Sequence, residues 1–557
     1  MIQEELAGAV LEAIKRAQEE GAIPELPAPT ITMEMPRNKE HGDYACNVAL
    51  SLAGPAKTAP RKLAETILQF LPGGIGFLER VEIAGAGFLN FYLKPDWLQD
   101  TLFEIEENQG RFGCSQVHAG EKVLIEFVSA NPTGPISVVN GRAAALGDVL
   151  GNLLAAVGYQ VAREYYINDA LNSHQLEMLG ETLAARYLQQ LGKDVPLPPE
   201  SYKGEYVSEM AKKIVEREGN AYENVPDSEL FPLFRKLATD EMISQQRGDL
   251  ESFGVCYDNW QRESALYEDG EVTQAIETIR RQGYAYEKDD AIWLKASALG
   301  DKEDWVLVRS NGRETYVAAD AAYHKNKFDR GFTLLINIWG ADHHGYVARL
   351  KAAIAALGYD PARCEVILHQ MIHLVREGES VVGSKREGNV IPLRELITEV
   401  GRDAARFTFL LSSADATATF DLDLVKQQTN ENPVYYVQYA HARIASILKK
   451  AADNELVLKA AAKVKRSLLT HPRELDLLRK LADFPNEVQV AAENRAPHRL
   501  THYSIELASV FHNFYTECRV IGEEVELTLA RLALIRGAEQ VLKNALGLLG
   551  VSAPESM

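Results

Sequence analysis

The feature that most restricts the fold of this chain is a nearly continuous apolar run, KVLIEFV at residues 122–128, followed by a Pro/Gly turn, a long apolar stretch NGRAAALGDVLGNLLAAVGY, and a second run, QVAREYYIN. A strand that is apolar on both faces must be covered on both. A helix between two such strands forces a crossover, so the segment predicts a parallel sheet with right-handed βαβ connections. The pattern returns at TLLINIWG and CEVILHQMIHLV. In between, residues about 172–300 carry long charged segments of helical character such as EYVSEMAKKIVEREGN, which read as an insertion rather than core.

The expected fold is therefore an α/β core, a Rossmann-like nucleotide fold with a parallel sheet, split by a helical insertion over about 172–300. At roughly 100–200 residues per domain, 557 residues leave room for more than this core. Residues 1–110 read as an α+β unit. Ile2, Leu6, Val10 and Ile14 recur on one helix face, Gly21 and Pro24 stop that helix, and VEIAGAGFLNFYL reads as a strand pair around glycines. The core is assigned to 111–420. Residues 421–557 read as an all-α bundle whose last helix carries the stripe Leu532, Ile535, Ala538, Leu542, Leu546 and Leu549, with Gly550 as its stop.

Composition excludes several classes. No stretch approaches the roughly 18–20 apolar residues of a membrane span, and the opening MIQEELAGAVLEAIKR is acidic where a signal peptide is basic, so a cytoplasmic protein without membrane contact is expected. The five cysteines are scattered and never form C-x-x-C, which argues against a disulfide framework and a zinc ribbon. A net charge of −20 counts against a nucleic-acid partner, but residues 431–557 hold 16 Lys+Arg against 15 Asp+Glu, so the acidic excess lies in 1–430. The lysines of this tail fit a basic face or an ordinary solvated helix surface.

Three segments carry chemistry. In EFVSANPTGPISVVNGRAAALGD a strand runs through a turn into a helix beginning near Asn140, whose free N–H groups make an anion site suited to a nucleotide phosphate; a plain N-cap at Asn140 explains the same residues. WGADHHGY follows a strand at its carboxyl end, where open α/β sheets bind ligands: Gly340 admits a nucleotide close to the backbone and Asp342 can hold ribose hydroxyls. His343 and His344 lack a third ligand, so no metal is assigned to them. VVGSKREGN is a glycine-flanked basic turn in which Lys385 and Arg386 can neutralise developing phosphate charge, although basic surface turns are common.

Together, the order, spacing and strand-end placement of these segments resemble a class I aminoacyl-tRNA synthetase. SANPTGP, EYYINDA, TYVAADAAYH, INIWGADHHGY and NENPVYYVQYAHARI narrow the resemblance to the arginyl-tRNA synthetase family, and HGDYACNVAL, GFLNF, PHRLTHY, FHNFYTECRV and LGLLGVSAPESM extend it over essentially the whole chain. The sequence departs from the family at two signatures. His-x-Gly-His falls on Ser137, Val138, Val139 and Asn140. Lys-Met-Ser-Lys-Ser falls on Val382, Gly383, Ser384, Lys385 and Arg386, keeping Ser-Lys and losing the first lysine. Ser137 and Asn140 can still donate hydrogen bonds to phosphates but carry no charge; each lost charge-assisted donor costs on the order of 1–2 kcal/mol.

The resemblance implies an arginine–tRNA ligase acting in two steps on L-arginine, ATP with Mg2+ and tRNA(Arg), with tRNA generally required even for the first step. Ser137, Asn140, Ser384, Lys385 and Arg386 would be catalytic; Glu126, Ser129, Asn131, Tyr316 and Asp320 would bind arginine, with Glu126 at the α-amino end and Asp320 on the guanidinium. Tyr316 stands four residues before Asp320, which puts both on one helix face. Gly340, Asp342, His343 and His344 would meet ATP. Phe88 and Asn90 would contact the tRNA D-loop, and Tyr435, Tyr439, Arg443 and Met557 the anticodon. ATP is expected as a substrate, with no tightly bound metal, and the protein as a monomer. The rival reading, carried by the altered signatures, is a catalytically impaired relative that binds RNA or arginine.

Overall fold

The computed structural model describes residues 2–34, 36, 39–170, 173–381, 391–454, 456 and 460–557. The chain divides into two compact units: Met1–Glu107 with Leu456–Ala482 and Glu517–Gly537, and Asn108–Glu455 with Asp483–Thr516 and Ala538–Met557.

In the first unit, helix α1 (Ile2–Glu19) buries Leu6, Val10 and Ile14, the four-residue stripe of the sequence. Strands β1 (Met33–Glu34) and β2 (Tyr44–Cys46), helices α2 (Val48–Ala56) and α3 (Pro60–Gln69), and strands β3 (Leu78–Ala84) and β4 (Phe88–Leu93) follow, the sheet running β1-β2-β4-β3. β3 and β4 form the expected antiparallel pair. Alternation along β4 sends Leu89, Phe91 and Leu93 into the core, so Phe88 and Asn90 share the opposite face. Phe88 is exposed, whereas Asn90 lies low between Ala45 and Glu82 of the flanking strands. Helix α4 (Pro95–Asn108) closes this stretch.

The second unit contains a five-stranded, all-parallel sheet of order β12-β11-β5-β6-β7, as its apolar strands require. Strand β5 (Lys122–Phe127) leads through helix α5 (Val138–Ala156) to β6 (Gln160–Ile167) on one side of it. The chain later returns to β11 on its other side, so β5 and β11 flank the switch point at which such sheets bind ligands. Helix α5 lies so close on the sheet that a Cβ at Gly147 would stand 2.2 Å from the Phe127 ring.

Helices α6 (His174–Gln190), α7 (Glu205–Glu218) and α8 (Asp227–Ser252) build a core of their own around Leu183, Tyr187, Met210 and Phe234, which fits a helical insertion. The insertion is shorter than 172–300, however. β7 (Asn259–Arg262) is the edge strand of the main sheet, paired in parallel with β6. Its four residues, NWQR, offer no apolar run; backbone pairing and the stacking of Trp260 on Tyr165 at 4.3 Å define it. Helices α9 (Glu263–Glu268) and α10 (Glu271–Arg281) and an antiparallel sheet of β8 (Ala285–Lys288), β9 (Ala291–Leu294) and β10 (Trp305–Val308) follow.

Helix α11 (Tyr316–Asp329), β11 (Leu334–Gly340), α12 (Val347–Ala356) and β12 (Cys364–His369) complete the core. CEVILHQMIHLV, read as one strand, is two. Its second half is β13 (Ile372–Arg376), which pairs with β14 (Glu379–Val381) and β15 (Ala418–Asp421) in a separate sheet. Beyond Asp421 the described residues contain helices and no strand, and the stripe from Leu532 to Leu549 is buried. Gly550 adopts the left-handed backbone of a helix stop. No helix among the described residues is long and apolar enough to cross a membrane.

Candidate active site

A cavity of about 980 Å³ opens at the carboxyl ends of β5 and β11. Nine residues singled out in the sequence line it: Glu126, Ser129, Asn131, Asn140, Tyr316, Asp320, Gly340, Asp342 and His343. Ser137 and His344 do not. Ser384, Lys385 and Arg386 lie outside the described residues.

The loop after β5 is bent unusually. Val128 and Ser129 have φ of 71° and 40°, a left-handed backbone that a β-branched residue adopts only under constraint. The constraint is a ring of clamps. Tyr165 accepts from Ala130 N–H, Gln246 of α8 donates to the Asn131 and Gly134 carbonyls, and Tyr206 of α7 donates to the Thr133 carbonyl. The insertion helices therefore shape this loop. The bend lets the Ser129 hydroxyl donate to Glu126 Oε1 at 3.0 Å and accept from Tyr166 N–H at 3.1 Å.

Glu126 ends an apolar strand with its own counterion. Lys327, wholly buried, donates from Nζ to Glu126 Oε2 at 2.6 Å and to Asn337 Oδ1 at 3.1 Å. Since Asn337 accepts from Lys327, its Nδ2 is the donor to His324 Nε2 at 2.8 Å, and His324 Nδ1–H donates to the Asp320 carbonyl. Burial first, and the Lys327 charge second, hold His324 neutral.

The opposite wall is acidic. Asp320, on α11, accepts a short hydrogen bond from the Tyr346 hydroxyl; burial pushes its carboxyl up to about 6, with the Glu126 charge adding to the shift. Glu263 also lines the cavity, and burial with the charges of Asp320 and Asp169 pushes it up to about 7. An acid whose carboxyl is raised by a neighbouring acid marks a place that favours a cation. Tyr316 sits on the same face of α11 as Asp320 but is largely exposed, and its hydroxyl accepts from Arg349 Nη1 at 2.7 Å. Arg349 stacks on Trp305 and lies 4.9 Å from the Tyr346 ring centre, bracing both tyrosines.

The nucleotide-facing wall is built differently. Gly340 closes β11, and Asp342 and His343 stand on its exposed rim, 3.7 Å apart. Helix α5 starts at Val138, two residues before Asn140, and its N-cap is Ser137, not Asn140. The Ser137 hydroxyl donates to Asn140 Oδ1 at 2.7 Å and accepts from Asn140 N–H at 3.4 Å. Asn140 Oδ1 also accepts from Ser137 N–H at 3.3 Å, which leaves Nδ2 as its free donor. Val139 faces the cavity beside it. The turn is pinned to residues 391–393: Val138 N–H donates to the Ile391 carbonyl, and Leu393 N–H to that of Ile136.

Away from the cavity, Tyr435 and Tyr439 stack on helix α13 (Pro433–Asp453), and Arg443 lies over Tyr439 at 5.5 Å and Tyr515 at 4.7 Å. Met557 is exposed. Sequence reasoning missed Glu263, Tyr346 and Lys327. Tyr346 lies within the quoted WGADHHGY, whereas no local pattern marks Glu263 or Lys327.

Residues 104–445 match the tRNA synthetases class I (R) catalytic domain, 4–93 the arginyl tRNA synthetase N terminal domain, and 437–557 the DALR anticodon binding domain. The chain is 48% identical to the arginine–tRNA ligase of Heliobacterium modesticaldum over 100% of its length and 99% of that protein. It is 47% identical, over the same shares, to that of Desulforamulus reducens. The Thermus thermophilus arginyl-tRNA synthetase structure, 22% identical, superposes with a TM-score of 0.78 over 100% of both chains and shares the fold. Matching domains along the chain, and relatives 47–48% identical over essentially their whole length, show the family: this chain belongs to the arginyl-tRNA synthetases of class I.

Proposed function

We propose that the cavity carries out the arginine–tRNA ligase reaction with the following division of labour. The guanidinium enters between Asp320 and Glu263, whose carboxylates read its planar fork at fixed angles; a lysine ammonium, a point charge on a flexible stem, does not match that geometry. Tyr316 and Tyr346 wall the same end. The α-ammonium lies by Glu126, with Ser129 and Asn131. Because Glu126 already holds Lys327, it acts partly by fixing Ser129 in its bent loop.

ATP lies across the ends of β5 and β11, its ribose at Asp342, its base against Gly340, and its phosphates toward Asn140 Nδ2 and His343. The arginine carboxylate attacks the α-phosphorus, pyrophosphate leaves, and the terminal 2′-hydroxyl of tRNA then takes the arginyl group and releases AMP. Little covalent chemistry falls to the protein, so positioning and charge stabilisation dominate. The described residues offer no cluster of three or more His, Cys, Asp or Glu for a metal ion, and Mg2+ enters on the triphosphate as part of the substrate. Lys385 and Arg386 supply charge from the second signature and Ser384 a neutral hydroxyl donor, while Ser137 serves through Asn140. His344, exposed and outside the cavity, has the least part.

For tRNA, residues 1–110 contact the D-loop through the outward Phe88, with Asn90 on the same face, and 421–557 read the anticodon through the Tyr435, Tyr439 and Arg443 stack and terminal Met557. Residues 111–420 hold the reaction, in the cytoplasm and as a monomer. The observation that carries this reading is the convergence of Glu126, Asp320 and Glu263 in one cavity at the switch point. Purified protein with ATP and transcribed tRNA should charge arginine and not lysine. Tight tRNA binding with no aminoacylation at high enzyme would overturn it in favour of the impaired relative.

A further inference from the structure

Tyr166 ends β6, facing Gln261 of β7 in register. It is 6% exposed, and its ring stacks on Tyr323 at 4.2 Å with planes 23° apart, so it has little freedom to turn. It lines the same cavity as Asp320 and Glu263. Around it, four tyrosine hydroxyls have an occupation. Tyr323 donates to Glu164 at 2.7 Å, Tyr165 to Gln246 at 2.9 Å, Tyr346 to Asp320, and Tyr316 accepts from Arg349. The Tyr166 hydroxyl is buried and has no hydrogen-bond partner among the described residues. Buried polar groups are rarely left so, and one on a residue that lines a cavity points to a ligand.

The chemistry of that ligand follows from what surrounds it. The charges that bear on Tyr166 are the carboxylates of Glu263, Asp320 and Glu126, with the Tyr267 phenol. A guanidinium has five N–H donors and no acceptor, and two carboxylates in a plane satisfy at most four. A neutral phenol oxygen can accept the fifth. We propose that Tyr166 is a specificity-determining residue whose hydroxyl accepts an N–H of the substrate guanidinium, closing the fork that Asp320 and Glu263 hold on its other edges. This rests on the reading of the cavity as the arginine site. A lysine ammonium, with three donors at one point, does not span all three groups.

The test is Tyr166→Phe in the full-length enzyme, which removes only an oxygen that the free protein leaves unpaired. The expected result is a rise of about tenfold in KM for arginine, with KM for ATP and for tRNA within about twofold. The melting temperature of the free enzyme should stay unchanged, while the increment added by saturating arginine shrinks. An unchanged arginine KM overturns the proposal, and so does a raised KM with a lowered melting temperature of the free enzyme, since the hydroxyl would then be holding the fold. Asp320→Asn separates the two levels. If it raises the arginine KM and Tyr166→Phe does not, the Tyr166 assignment fails and the arginine site stands; if neither moves it, the site assignment itself fails.

Discussion

The two ends of the cavity are made on opposite principles. At the proposed amino-acid end, Asp320, Glu263, Tyr346 and Tyr166 come from α11, α9, the turn after β11 and the end of β6; Asp320 and Tyr346 hold each other and Tyr166 is held by a packed ring. At the nucleotide end, Gly340, Asp342 and His343 sit on a strand terminus, with Asp342 82% exposed and His343 59%. The difference follows from the ligands. Selecting one cationic side chain needs acids kept partly dry, since water would screen the contrast with lysine. A triphosphate brings its own counterion and is read largely by backbone and charge, which an open rim supplies.

If this contrast is right, perturbing the dry end should do far more damage. The largest effect is expected from Lys327→Met, which leaves Glu126 buried without its counterion and should lower the unfolding free energy by about 3–5 kcal/mol in denaturant titration. A loss within the error of that titration would mean Glu126 is not tied to the fold through Lys327. Next, Asp320→Ala removes one arm of the guanidinium clasp. KM for arginine should rise by roughly 2–5 kcal/mol of lost binding, with tRNA affinity by filter binding nearly intact.

A third effect is pH dependence. Burial raises the carboxyls of Asp320 to about 6 and Glu263 to about 7, so their ionisation disfavours the arginine-free fold. Their contribution to stability is complete below the carboxyl range of the unfolded chain and is lost as pH rises through about 6 and about 7. A bound guanidinium reverses the preference, so arginine should bind roughly tenfold more weakly at pH 6 than at pH 8, and its stabilisation in thermal melts should grow over that interval. A flat arginine affinity across it would remove the acids from the site. The smallest effect belongs to the open end: Ser137→Ala should cost about 1 kcal/mol of stability as a lost helix cap, with KM for ATP within about threefold. A large ATP defect at unchanged stability would put the hydroxyl itself against the phosphates.

Much of the fold was legible because its signals are local. The apolar runs at 122–128 and 334–340, the helix between the first pair of strands, and the closing leucine stripe each declare a period that burial then satisfies. β7 was not legible, since NWQR becomes a strand only by pairing with β6. In the candidate site, ordered motifs named Glu126, Tyr316 and Asp320, which line one cavity. Glu263 and Lys327 were not found, because an acid after a short strand and a lysine on a helix look like solvated surface until the chain folds over them.

By itself, the sequence determined the element types, the parallel sheet, the family and the residues its motifs name, because periodicity and motif spacing are properties of neighbours along the chain. The tertiary structure decided which groups share the cavity, that Glu126 arrives already paired with Lys327, that Ser137 caps α5 and engages Asn140, and that the Tyr166 hydroxyl is left without a partner. Those facts depend on groups up to 201 residues apart coming within hydrogen-bond reach, and on the burial that shifts their protonation, neither of which a linear pattern encodes.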